Sequence, residues 1–325
     1  MSALNNTKSQ PAMFFLTGIV GQENVHVWIS IPFCLIYFIS ILGNSFILFI
    51  IKTDPTLHEP MYIFLSILAV TDLGLSITTM PTTLGIFWFN SREISHDACF
   101  AQLFFIHFLG FTESSILLLM AFDRLVAIRN PLRYASVLTR PRIATTLLVT
   151  LLRGVPIIFP LPILLKQHHF CQANILSHAY CLHQDVMKLA CSDIRVNIFL
   201  GLFGTLSIAG MDISLILLSY AMILKTVLSI ASHAERLKSL DTCVSHVCIV
   251  LLFYIPALGL SVLHRFVKMS SPLVQVVMGY VHFLIPPLMN PIVYSVKNKH
   301  IRTRMSRMFV IWRISSSPAS ENQTP

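Results

Sequence analysis

Residues 120–134 read MAFDRLVAIRNPLRY. An acid and an arginine, Asp123 and Arg124, close a long apolar run, and a basic, proline-containing segment follows at once. A charge stranded at the centre of a bilayer costs a few kcal/mol or more, so charges inside apolar runs mark function by default. Here the pair sits where the run meets the basic loop. That position fits a lock at the inner face of a membrane protein rather than a buried catalytic dyad.

The composition agrees. The chain has 325 residues, 55% of them hydrophobic and only 11% charged, against about 25% charged in a soluble domain. One integral membrane domain accounts for nearly all of it. The net charge of +9 would fit nucleic acid if it were spread over a soluble surface. It reads instead as a topology signal if the basic residues gather in loops on one side.

Seven apolar segments are long enough to cross about 30 Å of hydrocarbon. They run over 27–51, 61–87, 98–128, 143–165, 196–230, 240–263 and 273–296. An odd number puts the two ends on opposite sides. Of the 23 Lys and Arg residues, Arg124 and Arg153 are set aside as lying within spans, and Lys225, at the end of the fifth span, is counted with the loop that follows. Seven lie on one side (Lys8, Arg92, Lys166, Lys188, Arg195, Arg265, Lys268) and the other fourteen on the other. The excess places the C-terminus in the cytoplasm and the N-terminus outside. The expected organisation is an extracellular tail over 1–26, a transmembrane domain over 27–296 and a cytoplasmic tail over 297–325. No cleavable signal peptide is visible in the first 25 residues, so the first span would target the chain. Basicity so distributed argues against nucleic acid as a partner.

The tail reads as exposed and polar or mixed. It carries Asn5-Asn6-Thr7, a glycosylation sequon on the outer side. The same pattern at Asn322 lies inside and reads as inert. Residues 297–313 alternate basic and apolar side chains, which suits an amphipathic helix on the anionic inner leaflet and names membrane lipid as a partner. The last dozen residues read as disordered.

Several residues narrow the reading further. Asp123-Arg124 comes with Ala127, Ile128, Pro131 and Tyr134. Helix five ends in Ser219-Tyr220. Helix six opens with Lys238, Thr242, Cys243, Ser245 and His246 at fixed spacing. Helix seven carries Pro287 through Asn290-Pro291-Ile292-Val293-Tyr294. Together these resemble the inner-face motifs of olfactory receptors, a branch of the rhodopsin-like G-protein-coupled receptors. Leu125 stands where that family usually has tyrosine. Phe253-Tyr254-Ile255-Pro256 and the loop from His169 to Cys191 resemble the fish-like class I form, family 51/52 type. The resemblance covers roughly residues 15–310. It implies an all-α membrane protein, a seven-transmembrane helix bundle with a short amphipathic C-terminal helix. It implies a G-protein switch of Asp123, Arg124, Tyr220, Asn290, Pro291 and Tyr294, and an ion pair Asp123–Arg124 that breaks on activation. Pro291 removes a backbone hydrogen bond and supplies a hinge.

Four cysteines, Cys99, Cys171, Cys181 and Cys191, fall in outer loops or at their edges, and Cys34, Cys243 and Cys248 read as free thiols. Four cysteines allow three pairings. The resemblance implies Cys99–Cys181 and Cys171–Cys191. The competing use of this stretch is a copper or zinc site at His168, His169, His178 or His183. Cysteines held in disulfides cannot ligate, so no metal is assigned.

Buried polar groups in lipid need partners. Asn44, Asp72 and Asn290 lie in helices one, two and seven, and the resemblance has them meet. Glu113 lies ten residues before Asp123, about 15 Å up helix three, at the depth of Asp72. Two acids at that depth want a shared proton or a cation. The functional reading is a sodium or proton site, and the plain one is a pair of hydrogen-bonded structural acids. No other cofactor is implied.

In such bundles the ligand sits between helices three, five, six and seven under the long outer loop. His107 lies about 12 Å below the outer end of helix three. Arg265 stands at the outer end of helix six with Ser261 one turn earlier on the same face. Gln184 follows Cys181 by three residues and would be held over the mouth. A guanidinium among hydroxyl, amide and imidazole donors suits a carboxylate. Phe108, Phe111, Gly204, Ile208 and Leu258 would line the ligand's tail. The plain reading of Arg265 is a loop salt bridge to Asp185 or Asp193, and that of His107 a hydrogen-bonded core histidine.

The resulting expectation is a plasma-membrane odorant receptor. It binds a small volatile or hydrophilic ligand, a carboxylic acid by preference, and activates a stimulatory olfactory-type heterotrimeric G protein to raise cAMP. The same architecture could serve as a metabolite sensor outside the nose. A proton- or sodium-coupled transporter with Asp72, Glu113 and Asp212 as a relay is disfavoured by the odd helix count and the lack of inverted repeats. No nucleophile–base–orienter set appears, so an enzyme is not expected. Arg153 in helix four either faces a polar partner or snorkels, and the sequence does not decide between them.

Overall fold

The computed structural model describes residues 13–19, 26–170, 174–266 and 272–316. Its helices are α1 (His26–Thr53), α2 (Pro60–Phe89), α3 (His96–Arg129), α4 (Tyr134–Val137), α5 (Arg140–Ile158), α6 (Pro160–Lys166), α7 (His183–Lys188), α8 (Arg195–Leu228), α9 (His233–Phe266), α10 (Pro272–Lys297) and α11 (Lys299–Ser316). Seven helical stretches are long and apolar enough to cross a membrane: α1, α2, α3, α5 with α6, α8, α9 and α10. In lipid every backbone polar group must be satisfied within the chain, and a helix does this segment by segment.

Most helices overrun the apolar segments read from sequence, while α8 stops at Leu228, two residues short of 230. The largest extension is at α9, which starts at His233, seven residues before the expected Leu240. Hydropathy detects only the apolar part of a helix, whereas the turns over residues 233–239 carry charged side chains and are mostly exposed. The fourth span bends at Phe159-Pro160, where α5 hands over to α6.

Local chemistry sets the ends. Ser95 caps α3, accepting from the Ala98 amide at 3.4 Å. Asn90 ends α2 in the left-handed region (φ 50°), its N–H donating to the Ile86 carbonyl at 3.1 Å, and Asn tolerates that conformation. Asp54 accepts from the Thr56 amide at 3.1 Å and so caps a 3-10 turn, Pro55–Leu57, between α1 and α2.

The outer end holds a small sheet absent from the sequence reading. Strand β1 (Met13–Leu16) lies between β2 (Glu93–Ser95), antiparallel, and β3 (Ile175–Leu176), parallel. The expectation of an exposed tail is corrected here. Phe14 and Leu16 are fully buried while Met13 and Phe15 face out, the period-two alternation of a half-buried strand. Four residues are too few for that pattern to stand out beside seven spans.

Two large apolar cores stack along the bundle, and a smaller cluster of Leu125, Ile223, Val227 and Cys243 joins α3, α8 and α9. The outer one joins α1, α2, α3, α7, α9 and α10 with β1 and the loop around Tyr180. The inner one centres on Leu65, Leu68, Ile116, Leu117 and Ile249. Gly43 lets α1 close on α10, since a Cβ there would sit 2.9 Å from Pro291 Cβ.

Candidate functional site

The outer loop is tied down at several points. Cys99 at the top of α3 is bonded to Cys181, with Cα atoms 5.5 Å apart. Gln102, one turn below, accepts from the Cys181 amide at 2.9 Å and donates to the Thr78 carbonyl at 2.9 Å. His178 is buried against Asp185 and reaches the Gln275 carbonyl at the outer end of α10 at 3.2 Å. Cys191 is disulfide-bonded; its expected partner Cys171 lies outside the described residues, as does Asn5. Cys34, Cys243 and Cys248 are free.

Beneath this lid is a cavity of about 180 Å³. His107, Phe111, Gln184, Gly204, Ile208, Leu258 and Ser261, all expected as ligand contacts, line it. Phe108 does not: it stacks on Phe104 with ring centroids 5.8 Å apart, because one residue along a helix turns the side chain about 100° from its neighbour His107. Arg265 lies in α9, one turn beyond Ser261, and its side chain lies outside the described residues. The structure adds His183, Tyr254, Phe253 and His282 to the lining, with Ser114 at the inner end.

His107 Nδ1 donates to the Leu103 carbonyl at 2.8 Å, which is the plain reading of a hydrogen-bonded core histidine, and the same ring borders the cavity. One nitrogen serves the helix and the other is left for the cavity. Phe111 approaches α5 closely. A Cβ on Gly154 would lie 2.3 Å from its ring, so only glycine admits the ring there.

The polar network at the floor explains Arg153. Its guanidinium donates to Asp212 on α8 at 2.8 and 3.1 Å and lies 5.4 Å from the Phe111 ring centre. Asp212 also accepts from Ser114 on α3 at 2.7 Å, and the Ser114 hydroxyl is 2.7 Å from the Tyr254 hydroxyl on α9. Four spans are joined through one carboxylate. The signal was present in sequence: opposite charges in two different spans must each find a partner. The relay that grouped Asp212 with Asp72 and Glu113 is corrected, since Asp212 is committed to Arg153.

Asp72 and Glu113 do converge. The Asn290 amide donates to Asp72 at 2.9 and 3.2 Å and to Glu113 at 3.5 Å, with all three side chains buried. Asn44 instead bonds the Pro287 and Ser40 carbonyls at 3.0 and 2.9 Å, so it pins α1 to α10 without joining the acids.

At the inner end, Arg124 Nη2 and Nε bond Asp123 at 2.5 and 3.0 Å, and the Tyr134 hydroxyl donates to the other oxygen of Asp123 at 2.7 Å. Tyr220 on α8 bonds His246 on α9 at 2.7 Å, and the Tyr294 hydroxyl lies 3.7 Å from Met120 Sδ. Arg124, Tyr134, Lys238, His246 and Tyr294 border a cavity of about 680 Å³ at this end of the bundle.

His168 is taken by Ser192 and His178 by Asp185. Among the described residues no three His, Cys, Asp or Glu side chains converge as metal ligands.

A family model described as olfactory receptor matches residues 33–311. Human olfactory receptor 51G2 is 61% identical over 305 residues, which is 94% of this chain and 97% of that one. Human olfactory receptor 51G1 is 57% identical, covering 95% and 96%. Human olfactory receptor 51E1 is 49% identical, covering 97% and 98%. A lidded cavity over a seven-helix bundle, inner-face motifs and near full-length similarity together show that the chain belongs to the olfactory receptor family, as a multi-pass plasma-membrane G-protein-coupled receptor that senses odorants and is not an enzyme.

Proposed function

We propose that this receptor binds a small carboxylic acid odorant in the lidded cavity and signals through a stimulatory olfactory-type G protein to raise cAMP. One observation carries the ligand reading. Donor and acceptor groups of His107, Gln184 and Ser261 gather in one cavity with Phe111, Gly204, Ile208 and Leu258, and Arg265 follows Ser261 by one helical turn. The acid's carboxylate would take the polar end and its chain the apolar remainder. An apolar cavity of about 150 Å³ holds a benzene-sized guest, so about 180 Å³ favours short chains.

In this reading the N-terminal 1–26 segment, with glycan at Asn5, is extracellular and 297–325 is cytoplasmic, supported by the fourteen-to-seven basic asymmetry. The transmembrane domain is 27–296. Segment α11 lies on the anionic inner leaflet, with basic residues interleaved among apolar ones. Activation moves the inner part of α9 outward. The Asp123–Arg124 pair and the Tyr220–His246 bond are then given up, and Arg124, Tyr220 and Tyr294 face the G protein, with Pro291 as the hinge. This is a shift between two populations. Asp72 and Glu113, bridged by Asn290, hold a sodium ion or a shared proton in the resting state.

The test is a cAMP reporter in cells expressing wild type and Arg265→Ala, challenged with straight-chain acids and their alcohols and esters at matched surface level. Acid responses lost in the variant support the carboxylate site. Equal responses of both forms to neutral odorants would remove Arg265 from it.

A further inference from the structure

His282 stands out among the cavity's polar groups. It sits on α10, its ring tilted against those of Phe253 (5.7 Å between ring centres) and Phe283 (4.4 Å), and lines the cavity. Its Nδ1 is sealed from solvent without a hydrogen-bonding partner, and no hydrogen bond among the described residues uses Nε2. Buried polar groups are nearly always hydrogen-bonded, and in a membrane span the requirement is stricter. The other polar side chains that line the inner end behave as expected: Ser114 and Tyr254 bond each other, and Ser114 bonds Asp212. His282 alone of these three is left over. With Nδ1 sealed, Nε2 is the polar atom the cavity can reach.

Its depth matters. His282 is level with Phe253, and Ser261 is eight residues further out on the same helix, about 12 Å at 1.5 Å per residue. A ligand whose head is held near Ser261 therefore runs toward His282 at its far end. A methyl group there would leave the imidazole unpaired. A hydroxyl both donates and accepts, so it satisfies Nε2 in either tautomer.

We propose that His282 is a specificity-determining residue and that the preferred ligand carries a second hydrogen-bonding group, a hydroxyl, at its buried end. The ligand class is thereby narrowed from simple acids to hydroxy acids of short chain. The narrowing rests on the carboxylate reading of the outer end, but the role of His282 does not. A site built to pair a ligand hydroxyl rejects the analogue lacking it, because its own buried polar group is left alone.

The experiment compares short straight-chain acids, the same acids with a terminal hydroxyl, and the matching terminal diols. It uses wild type, His282→Leu and His282→Gln, with G-protein activation and surface level read together. Wild type is expected to respond to hydroxy acids at about tenfold lower concentration than to plain acids. His282→Leu should bring hydroxy acids and plain acids to the same effective concentration, and His282→Gln should restore part of the preference. As a check on folding, purified ligand-free His282→Leu should be at least as heat-stable as wild type, since it removes an unpaired buried polar group. An unchanged preference in His282→Leu overturns the proposal, as does a wild type that ignores the hydroxyl or answers no hydroxylated compound. If diols act through His282 while acids do nothing, the carboxylate reading fails and His282 stands. If acids act regardless of the hydroxyl, the reverse holds.

Discussion

Arg153 on α5 and Asp212 on α8 form a salt bridge of 2.8 Å in which the carboxylate is fully buried. Breaking such a pair by removing one partner leaves an uncompensated charge and costs about 3–5 kcal/mol, whereas replacing both by apolar residues of similar size is often neutral. Arg153→Met and Asp212→Leu are each expected to lose most surface expression. The double variant is expected to recover much of it. Surface labelling with a thermal-stability measurement on purified protein checks this, and a double variant as poor as the singles would contradict it.

Tyr254 ties α9 to α3 through Ser114. One buried hydrogen bond is worth about 1 kcal/mol, a factor of about five in a two-state equilibrium. If outward movement of α9 marks the active state, Tyr254→Phe should raise ligand-free signalling a few-fold at equal surface level. Basal signalling that stays flat or falls would show that this bond does not hold the resting state.

Asp72 and Glu113 share the Asn290 amide. A cation held there should favour the resting arrangement. Raising sodium at constant ionic strength is expected to lower basal G-protein turnover by wild type in membranes and to leave Asp72→Asn unaffected. Equal sodium sensitivity of the two forms would place the effect elsewhere.

Gly154 admits the Phe111 ring. Gly154→Val should drive that ring into the cavity and shorten the longest acid that still activates, at a stability cost of about 1–3 kcal/mol from overpacking. A chain-length series read against surface level distinguishes a smaller cavity from a simple loss of fold. An unchanged length limit would mean that the ring finds another place.

Next to the turn between α1 and α2, Arg304 of α11 clasps Asp54, and Thr56 adds a hydroxyl donor at 2.7 Å. The Arg304 hydrogen bond first, then that of Thr56, holds the Asp54 carboxyl down to about 2. A lowered carboxyl pKa stabilises at pH above its ordinary value near 4 and is lost only as pH falls toward 2. The position of α11, followed by a probe on that helix, should therefore not change with pH between about 7 and 4. Arg304→Ala should release it at neutral pH.

What the sequence determined by itself is what a chain encodes linearly. The seven spans follow from runs of apolar residues, because each helix satisfies its own backbone and needs only length. The inner-face motifs, from Asp123-Arg124 to Tyr294, were legible because their spacing along single helices is local. The same holds for His107, Gln184 and Ser261, each placed by a count of residues from a landmark. Tertiary structure decided the rest. That Arg153 meets Asp212, that Phe108 turns away while Phe111 enters, and that Phe14 closes a buried strand all depend on how helices rotate against one another. Asn44 and Asp72 both required partners, yet only packing sent Asn44 to the Pro287 carbonyl and Asp72 to Asn290. His282 makes the same point most sharply: a histidine in a span reads as a satisfied core residue until the packing leaves its imidazole unpaired beside a cavity. Burial and hydrogen bonding between distant residues are pairwise properties of the fold, and a linear pattern states the need for a partner without naming it.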